Sequence, residues 1–362
     1  MNSIVQRRLH NQQLAAPSFL AAGEVVKWLG AMQAQDYAGA KWAIGLRMER
    51  AASPVNDAAV EEAFDAGAFL RTHVLRPTWH FVAPEDIRWL LALTAPRVHK
   101  LNAPYYRKVG LDDDLARRVR QVFTGALQGG AHRTREELAA ALEDDGIPAG
   151  GELRMSYLLM RAELDGLLCS GPRRGRQFTY ALLEERVPPS PPLTPEEALA
   201  ELARRFFQSH GPATVHDLAR WASLSLTEAR RGLSAVSEEL EVEEIDGQTY
   251  WFMSAPLTVV LEEPFAYLLS IYDEYVIGYK EWSAVVAPAN AERLKALGND
   301  LTAVLILNGC IAGVWKRTVG KRQVTVTVKP LDPLDAPARE AIAAAAQRYG
   351  SFLGLPAALA IV

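Results

Sequence analysis

Apolar and polar positions along this 362-residue chain switch repeatedly between a helical period and a period of two. Helical spacing predicts an amphipathic helix over 17–33, with Val25, Val26, Leu29 and Met32 on one side. A second helix is predicted over 57–66, with Val60 and Phe64 inward. Residues 69–74 and 78–82 then read as two strands joined by Leu75-Arg76-Pro77. The same plan returns more clearly downstream. A helix over 113–128 is followed by Thr134-Arg135-Glu136-Glu137, where a Thr and a Glu three residues later can satisfy each other's free backbone donors. Gly150-Gly151 precedes a helix over 154–166, and 167–170 and 178–182 form a hairpin around Gly171-Pro172-Arg173-Arg174-Gly175. A third copy begins at Thr194-Pro195-Glu196-Glu197, which caps a helix running to about Gln208. Helices over 214–221 and from Ser225-Leu226-Thr227-Glu228 to about Val236 follow, and 240–245 and 250–253 flank Asp246-Gly247, a two-residue hairpin turn.

Helix, turn, helix and two-stranded hairpin together make a winged helix, a shape whose second helix suits the DNA major groove and whose wing suits the backbone or minor groove. The expected fold is therefore α+β: three tandem winged helix-turn-helix units with a β-rich C-terminal part. The expected boundaries are 1–110, 111–188, 189–256 and 257–362, with Val187-Pro188-Pro189-Ser190-Pro191-Pro192 as a semi-rigid linker. In the last part, 302–307, 311–316 and 323–329 read as strands of a small sheet or partial barrel, with turns at Asn308-Gly309 and Gly320, and a helix over 336–349 closes the chain.

Composition narrows the class. Hydrophobic residues make up 49% and charged residues 23%, ordinary for a globular protein. No apolar run is long enough to span a membrane and the N-terminus has no signal-like apolar region, so the expected location is cytoplasmic, at the nucleoid. Two distant cysteines, Cys169 and Cys310, give neither metal spacing nor a disulfide framework. The net charge of −4 is unusual for a nucleic-acid binder. Basic residues nevertheless cluster at Arg97 to Lys108, Arg173 to Arg176 and Lys316 to Arg322, while acids gather elsewhere, which permits one positive face. No heptad pattern marks a dimerisation element, so a monomer without an obligate protein partner is expected.

The densest polar cluster is Gln33-Ala34-Gln35-Asp36, beside an apolar helix. Side chains two apart point the same way only on extended backbone; on a helix they lie about 200° apart. Two amides aimed at one point can hold a water, though an amide takes no proton at neutral pH and suits only a leaving group that is already activated. Such a pair also serves to satisfy backbone groups at a helix end. Asp36 is a base candidate or a structural cap. His80 is a base or phosphate contact or a satisfied, partly buried histidine. Asp273, Glu274 and Tyr275 form an acidic-aromatic run that either carries acid/base chemistry or locks the C-terminal sheet onto the helices; no His or Cys spacing nearby supports a metal. Arg173, Arg174, Arg176 and Gln177 at the second wing tip, and Lys316, Arg317, Lys321 and Arg322 on the last hairpin, are candidates for gripping phosphates. There is no phosphate loop, dinucleotide fingerprint or nucleophile elbow.

Taken together, Leu29 to Arg47 (LGAMQAQDYAGAKWAIGLR), Arg76 to Phe81 (RPTWHF), Cys169 to Tyr180 (CSGPRRGRQFTY), Ser209 to Thr214 (SHGPAT), Asp273 to Tyr279 (DEYVIGY) and Gly309 to Arg317 (GCIAGVWKR) resemble the AlkZ/YcaQ winged-helix DNA glycosylases nearly end to end. The resemblance implies three tandem winged helices forming a concave, positively charged DNA-binding surface, and base excision without strand cleavage. It implies a catalytic Gln-x-Gln motif, here Gln33-Ala34-Gln35. The YcaQ branch has Asp at the second polar position and this chain does not, so it looks like the AlkZ branch, whose founding role is self-resistance to a DNA-alkylating antibiotic. The resemblance thus implies a monofunctional hydrolase without metal or cofactor. Its partner would be double-stranded DNA carrying alkylated, cationic purines, including bulky adducts or crosslinks. The alternative is a non-enzymatic winged-helix regulator, which the scaffold alone fits equally well.

Overall fold

The computed structural model describes residues 3–49, 55–254, 261–297 and 303–362. Its architecture is mixed α+β. Local signals set most helix starts. Thr134, Thr194 and Ser225 each accept a hydrogen bond from the backbone N–H of a Glu three residues on, and that Glu reaches back to the cap, opening helices Arg135–Asp144, Pro195–His210 and Leu226–Val236. Thr214 and Asp217 do the same for Val215–Trp221.

The helix expected over 17–33 is shorter than its apolar pattern. It spans Ala22–Leu29 and stops at Gly30, whose φ of +78° is open to glycine and strained for other residues. The chain then becomes extended. Met32–Gln33 pairs with Trp79–Val82, setting Met32 opposite Phe81 and Gln33 opposite His80, and a new helix runs Tyr37–Arg47. Leu70–His73 completes this three-stranded sheet.

The middle of the chain contains helices Asp113–Leu127, Arg135–Asp144 and Gly151–Leu164, then the hairpin Leu168–Ser170 and Thr179–Leu182, joined by the short strand Arg133–Thr134. The third helical group ends in the hairpin Leu240–Ile245 and Gln248–Met253, whose turn residues Asp246 and Gly247 both have positive φ. The C-terminal sheet has five strands. Ala266–Leu268, Val304–Leu307, Cys310–Val319 and Val324–Pro330 pair antiparallel in that order. The helix expected to close the chain spans Ala336–Leu353 and is followed by a further strand, because Ala357–Ile361 returns to pair parallel with Val324–Pro330. Among the described residues no helix is long and apolar enough to cross a membrane.

Three apolar cores hold these pieces. One is built jointly by the first and last parts of the chain: Val25, Ile44, Phe64 and Phe81 pack with Leu268, Val326, Ile342 and Phe352. A second joins Leu70, Val82 and Leu90 to Phe206, Leu218 and Trp221. The third lies within the middle group, around Phe123, Leu138 and Leu158. A buried ion pair ties the first core to the segment after Leu268. Arg47 grips both carboxylate oxygens of Asp273, at 2.7 and 3.0 Å, and donates to Gln12 Oε1 at 2.9 Å. Both charged side chains are fully buried, so removing either one alone leaves an uncompensated charge, a loss of about 3–5 kcal/mol.

Candidate functional site

The backbone of residues 33 and 34 is held by the first hairpin and by Glu274. The Gln33 N–H donates to Glu274 Oε1 at 2.9 Å, and the Ala34 N–H to the Trp79 carbonyl at 2.7 Å. Arg71 Nε donates to the Ala34 carbonyl at 3.1 Å. Ala34 is buried, Gln33 half-buried and Gln35 exposed. Both side-chain oxygens turn to the same hairpin. Gln33 Oε1 accepts from Arg76 Nη2 at 3.0 Å, and Gln35 Oε1 accepts from the Trp79 N–H at 3.4 Å. A guanidinium and a backbone N–H only donate, so these contacts assign which end of each amide is oxygen.

Beneath Gln33 lies a buried polar hub. Glu274 is buried, and its second oxygen accepts from Trp221 Nε1 at 2.9 Å and faces His210 Nε2 at 3.4 Å. Burial works against its charge, but the His210 contact, Arg76 and the Gln33 N–H together hold the carboxyl below the usual carboxylate range. His80 is buried opposite. Its Nδ1 donates to the Thr78 carbonyl at 2.9 Å and its Nε2 faces Arg76 Nη2 at 3.2 Å. Burial first and the Arg76 charge second push its pKa from 6.5 down to about 3, so it is neutral near pH 7. Burial also draws Arg76 below the usual guanidinium range, against the pull of Glu274.

The other expected residues are placed differently. Asp36 makes a half-buried pair with Arg317 at 3.2 Å, and Arg317 also donates to the Tyr349 hydroxyl at 3.0 Å. That contact ties the glutamine segment to the last hairpin and commits Arg317 within the protein. Asp273 is bound by Arg47, and the buried Tyr275 hydroxyl donates to the Gly309 carbonyl at 2.8 Å. Both lie in the packing that locks the C-terminal part in place, away from the amides. With Asp273 on Arg47 and Glu274 on Trp221 and Gln33, the two acids do not converge on a common point, and among the described residues no group of three His, Cys, Asp or Glu is placed to hold a metal.

The arginines of the second hairpin divide as well. Arg173 lies with its guanidinium 4.1 Å from the Phe178 ring centre and 4.9 Å from that of Tyr37, and donates to the carbonyls of Arg176 and Gln177. It is mostly buried and 3.7 Å from Glu61, so it docks the hairpin tip on the first unit instead of reaching out for a phosphate. Arg174 pairs with Glu137 at 2.7 Å and stays half-exposed. Arg176 and Gln177 are exposed, as are Lys316, Lys321 and Arg322 on the last hairpin. Arg71, Arg76, His210 and Trp221 do not stand out as site residues in the sequence. Arg76 had a usable signal: it sits in the turn of the hairpin whose next strand carries His80, directly opposite Gln33.

Three comparisons bear on this arrangement. A family model described as AlkZ-like DNA glycosylase matches residues 26–352. An interstrand DNA cross-link repair glycosylase of Streptomyces sahachiroi is 25% identical over 342 residues, covering 89% of each chain. The solved structure of the Streptomyces sahachiroi DNA glycosylase AlkZ superposes with a TM-score of 0.79 at 21% identity, covering 99% of this chain and 98% of that one.

The buried His80 makes stability depend on acid in a defined direction. Its folded pKa of about 3 lies below the ordinary 6.5, so the unfolded chain takes up this proton first. Its contribution is full above about pH 6.5 and is lost progressively as pH falls toward about 3, with a slope of at most ~1.4 kcal/mol per pH unit. Urea midpoints measured from neutral pH down to about pH 5 should fall for the wild type and fall less steeply for His80→Gln. Equal slopes for the two proteins would contradict the buried, neutral histidine.

Proposed function

Because the chain belongs to the AlkZ-like DNA glycosylase family, we propose that it is a monofunctional, metal-independent glycosylase that excises N7-alkylated purines from duplex DNA. The observation that carries this is the amide pair. Gln33 and Gln35 turn their oxygens to one hairpin edge, and the titratable groups nearest them are already committed: His80 is neutral, Glu274 is charged and fully hydrogen-bonded, and Asp36 is paired. Such a site offers dipoles and no proton donor. That suits a purine carrying a positive charge at the alkylated ring, which leaves as a neutral base when its C1′–N9 bond breaks. Water adds its oxygen to C1′ and releases its proton to solvent, leaving an abasic site and intact strands. Amide oxygens are acceptors for that water and stabilise the cationic sugar of the transition state. A neutral, undamaged base would stay bound to its sugar because nothing here protonates it.

The helix, helix and hairpin groups act in this proposal as three winged helices that wrap the duplex, with the divisions expected from sequence. Phosphates are gripped by Arg174, Arg176 and Gln177 at the second hairpin tip and by Lys316, Lys321 and Arg322 on the last hairpin. Arg173 and Arg317 are left out of that set, since their guanidiniums are committed internally. The Streptomyces relative acts on interstrand cross-links, which supports extending the substrate class from monoadducts to cross-linked purines. Family membership favours this reading over a regulator that only binds DNA.

The direct test is single-turnover incubation with a duplex holding one N7-methylguanine, in EDTA, with and without later alkali. Free N7-methylguanine should appear, and strand breaks only after alkali. Gln35→Ala should slow release roughly 100- to 1,000-fold while duplex affinity holds. No release, or breaks without alkali, would sink the proposal, and an equal loss of affinity would move Gln35 from chemistry to docking.

Neutralising Lys321 and Arg322 together should weaken binding to any duplex sequence. The slope of log affinity against log salt should flatten by about 0.9 for each phosphate that is no longer neutralised. Arg173→Gln should leave that slope unchanged. The opposite result, a flattened slope for Arg173 alone, would place the second hairpin tip on the DNA by a different route.

A further inference from the structure

The hydrogen bonds around Gln33 admit one consistent set of donors and acceptors. The Thr78 carbonyl can only accept, so His80 Nδ1 carries the proton, and the neutral ring keeps its lone pair on Nε2. Arg76 Nη2 has two protons and two acceptors within reach, His80 Nε2 at 3.2 Å and Gln33 Oε1 at 3.0 Å. The oxygen of Gln33 is therefore turned to the guanidinium and its NH2 away from it. From the other side Glu274 holds the main-chain N–H of the same residue at 2.9 Å. Gln33 is clamped at its backbone and at the tip of its side chain by groups of opposite charge.

We propose that Arg76 is a positioning residue for the excision reaction, locking the Gln33 amide so that one oxygen lone pair is occupied and the other is aimed to hold the attacking water. The inference rests on the excision chemistry assigned to Gln33 and Gln35. His80 is the third member of the set: as a neutral acceptor it fixes where the guanidinium fork points. A lysine at this position would keep the charge and lose the planar guanidinium whose Nη2 holds its two N–H groups at fixed directions toward the two acceptors. The nearby exposed Arg220 does not share the task, since it donates to the carbonyls of Ile277 and Tyr279 at 2.8 and 3.1 Å.

Two measurements test this. The first is a double-mutant cycle in single-turnover release of N7-methylguanine, using Gln33→Ala, Arg76→Met and the pair. Arg76→Met should slow release by up to ~100-fold without changing duplex affinity. In the Gln33→Ala background the same change should do almost nothing, because the amide it positions is gone. Arg76→Lys should remain slow, and added guanidinium should speed Arg76→Ala only when Gln33 is present. Additive losses in the pair, or a loss of affinity that matches the loss of rate, would overturn the inference and make Arg76 an independent or phosphate-binding group. A normal rate for Gln33→Ala alone would instead strike at the assigned chemistry. The second measurement needs no activity. The Gln33 side-chain amide should give dispersed NMR signals in the wild-type protein that move to free-amide positions in Arg76→Met, with the fold intact by circular dichroism. Free-amide positions already present in the wild type would overturn the clamp whatever the enzyme does.

Discussion

A buried carboxylate must be met by donors, and Glu274 meets that demand with groups from distant parts of the chain. Trp221 and His210 come from the third helical group, and the Gln33 N–H comes from the first. Burial of one charge therefore fixes where the glutamine strand lies relative to the rest of the molecule. The neighbouring Asp273 does the same for helix Tyr37–Arg47 through Arg47. The run that the sequence leaves open between acid/base chemistry and locking the C-terminal sheet holds two anchors, one of which ends directly under Gln33.

From that anchor the properties of the site follow. Short strand Met32–Gln33 adds to the first hairpin, which brings Gln33 beside Arg76 and His80 and Gln35 beside Trp79. His80 beside the amides is neutral and Glu274 beneath them is charged near pH 7, so neither supplies a proton there. The second hairpin packs its tip on Tyr37 through Arg173 and Phe178, and Arg317 of the last hairpin holds Asp36. Two hairpins thus brace the segment from either side while their remaining cations stay exposed. A frame braced in this way meets the condition under which fixed dipoles stabilise a developing charge, namely that the dipoles are already in place.

Much of this was legible in the chain because the deciding interactions are local. Capping at Thr134, Thr194 and Ser225 uses a Glu three residues away, and the Asp246-Gly247 turn needs only its own two residues. The spacing of Gln33 and Gln35 also required extended backbone if they were to act together, and Gly30 ends the preceding helix in time for it. What was hidden depends on partners far off in sequence. Arg173, Arg174 and Arg176 look alike on paper, yet Arg173 is drawn inward by Tyr37 and Glu61, more than a hundred residues earlier in the chain. Strand Ala357–Ile361 gave no signal of its own, since its alanine-rich pattern becomes a strand only when an edge is available to pair with. The sequence shows Arg76 only as a turn residue before His80, because its role lies in which atoms it faces.

In the proposed reaction, excision takes no proton from the protein and needs only a charged base and two fixed amides. The pH dependence of single-turnover N7-methylguanine release tests it most directly. The rate should be flat between about pH 6 and pH 9, because His80 is neutral and Glu274 charged throughout that window and the two amides themselves exchange no proton with the substrate. A bell-shaped profile, or a limb that disappears in His80→Gln or Asp36→Asn, would show a titrating acid or base in the chemical step and contradict the account.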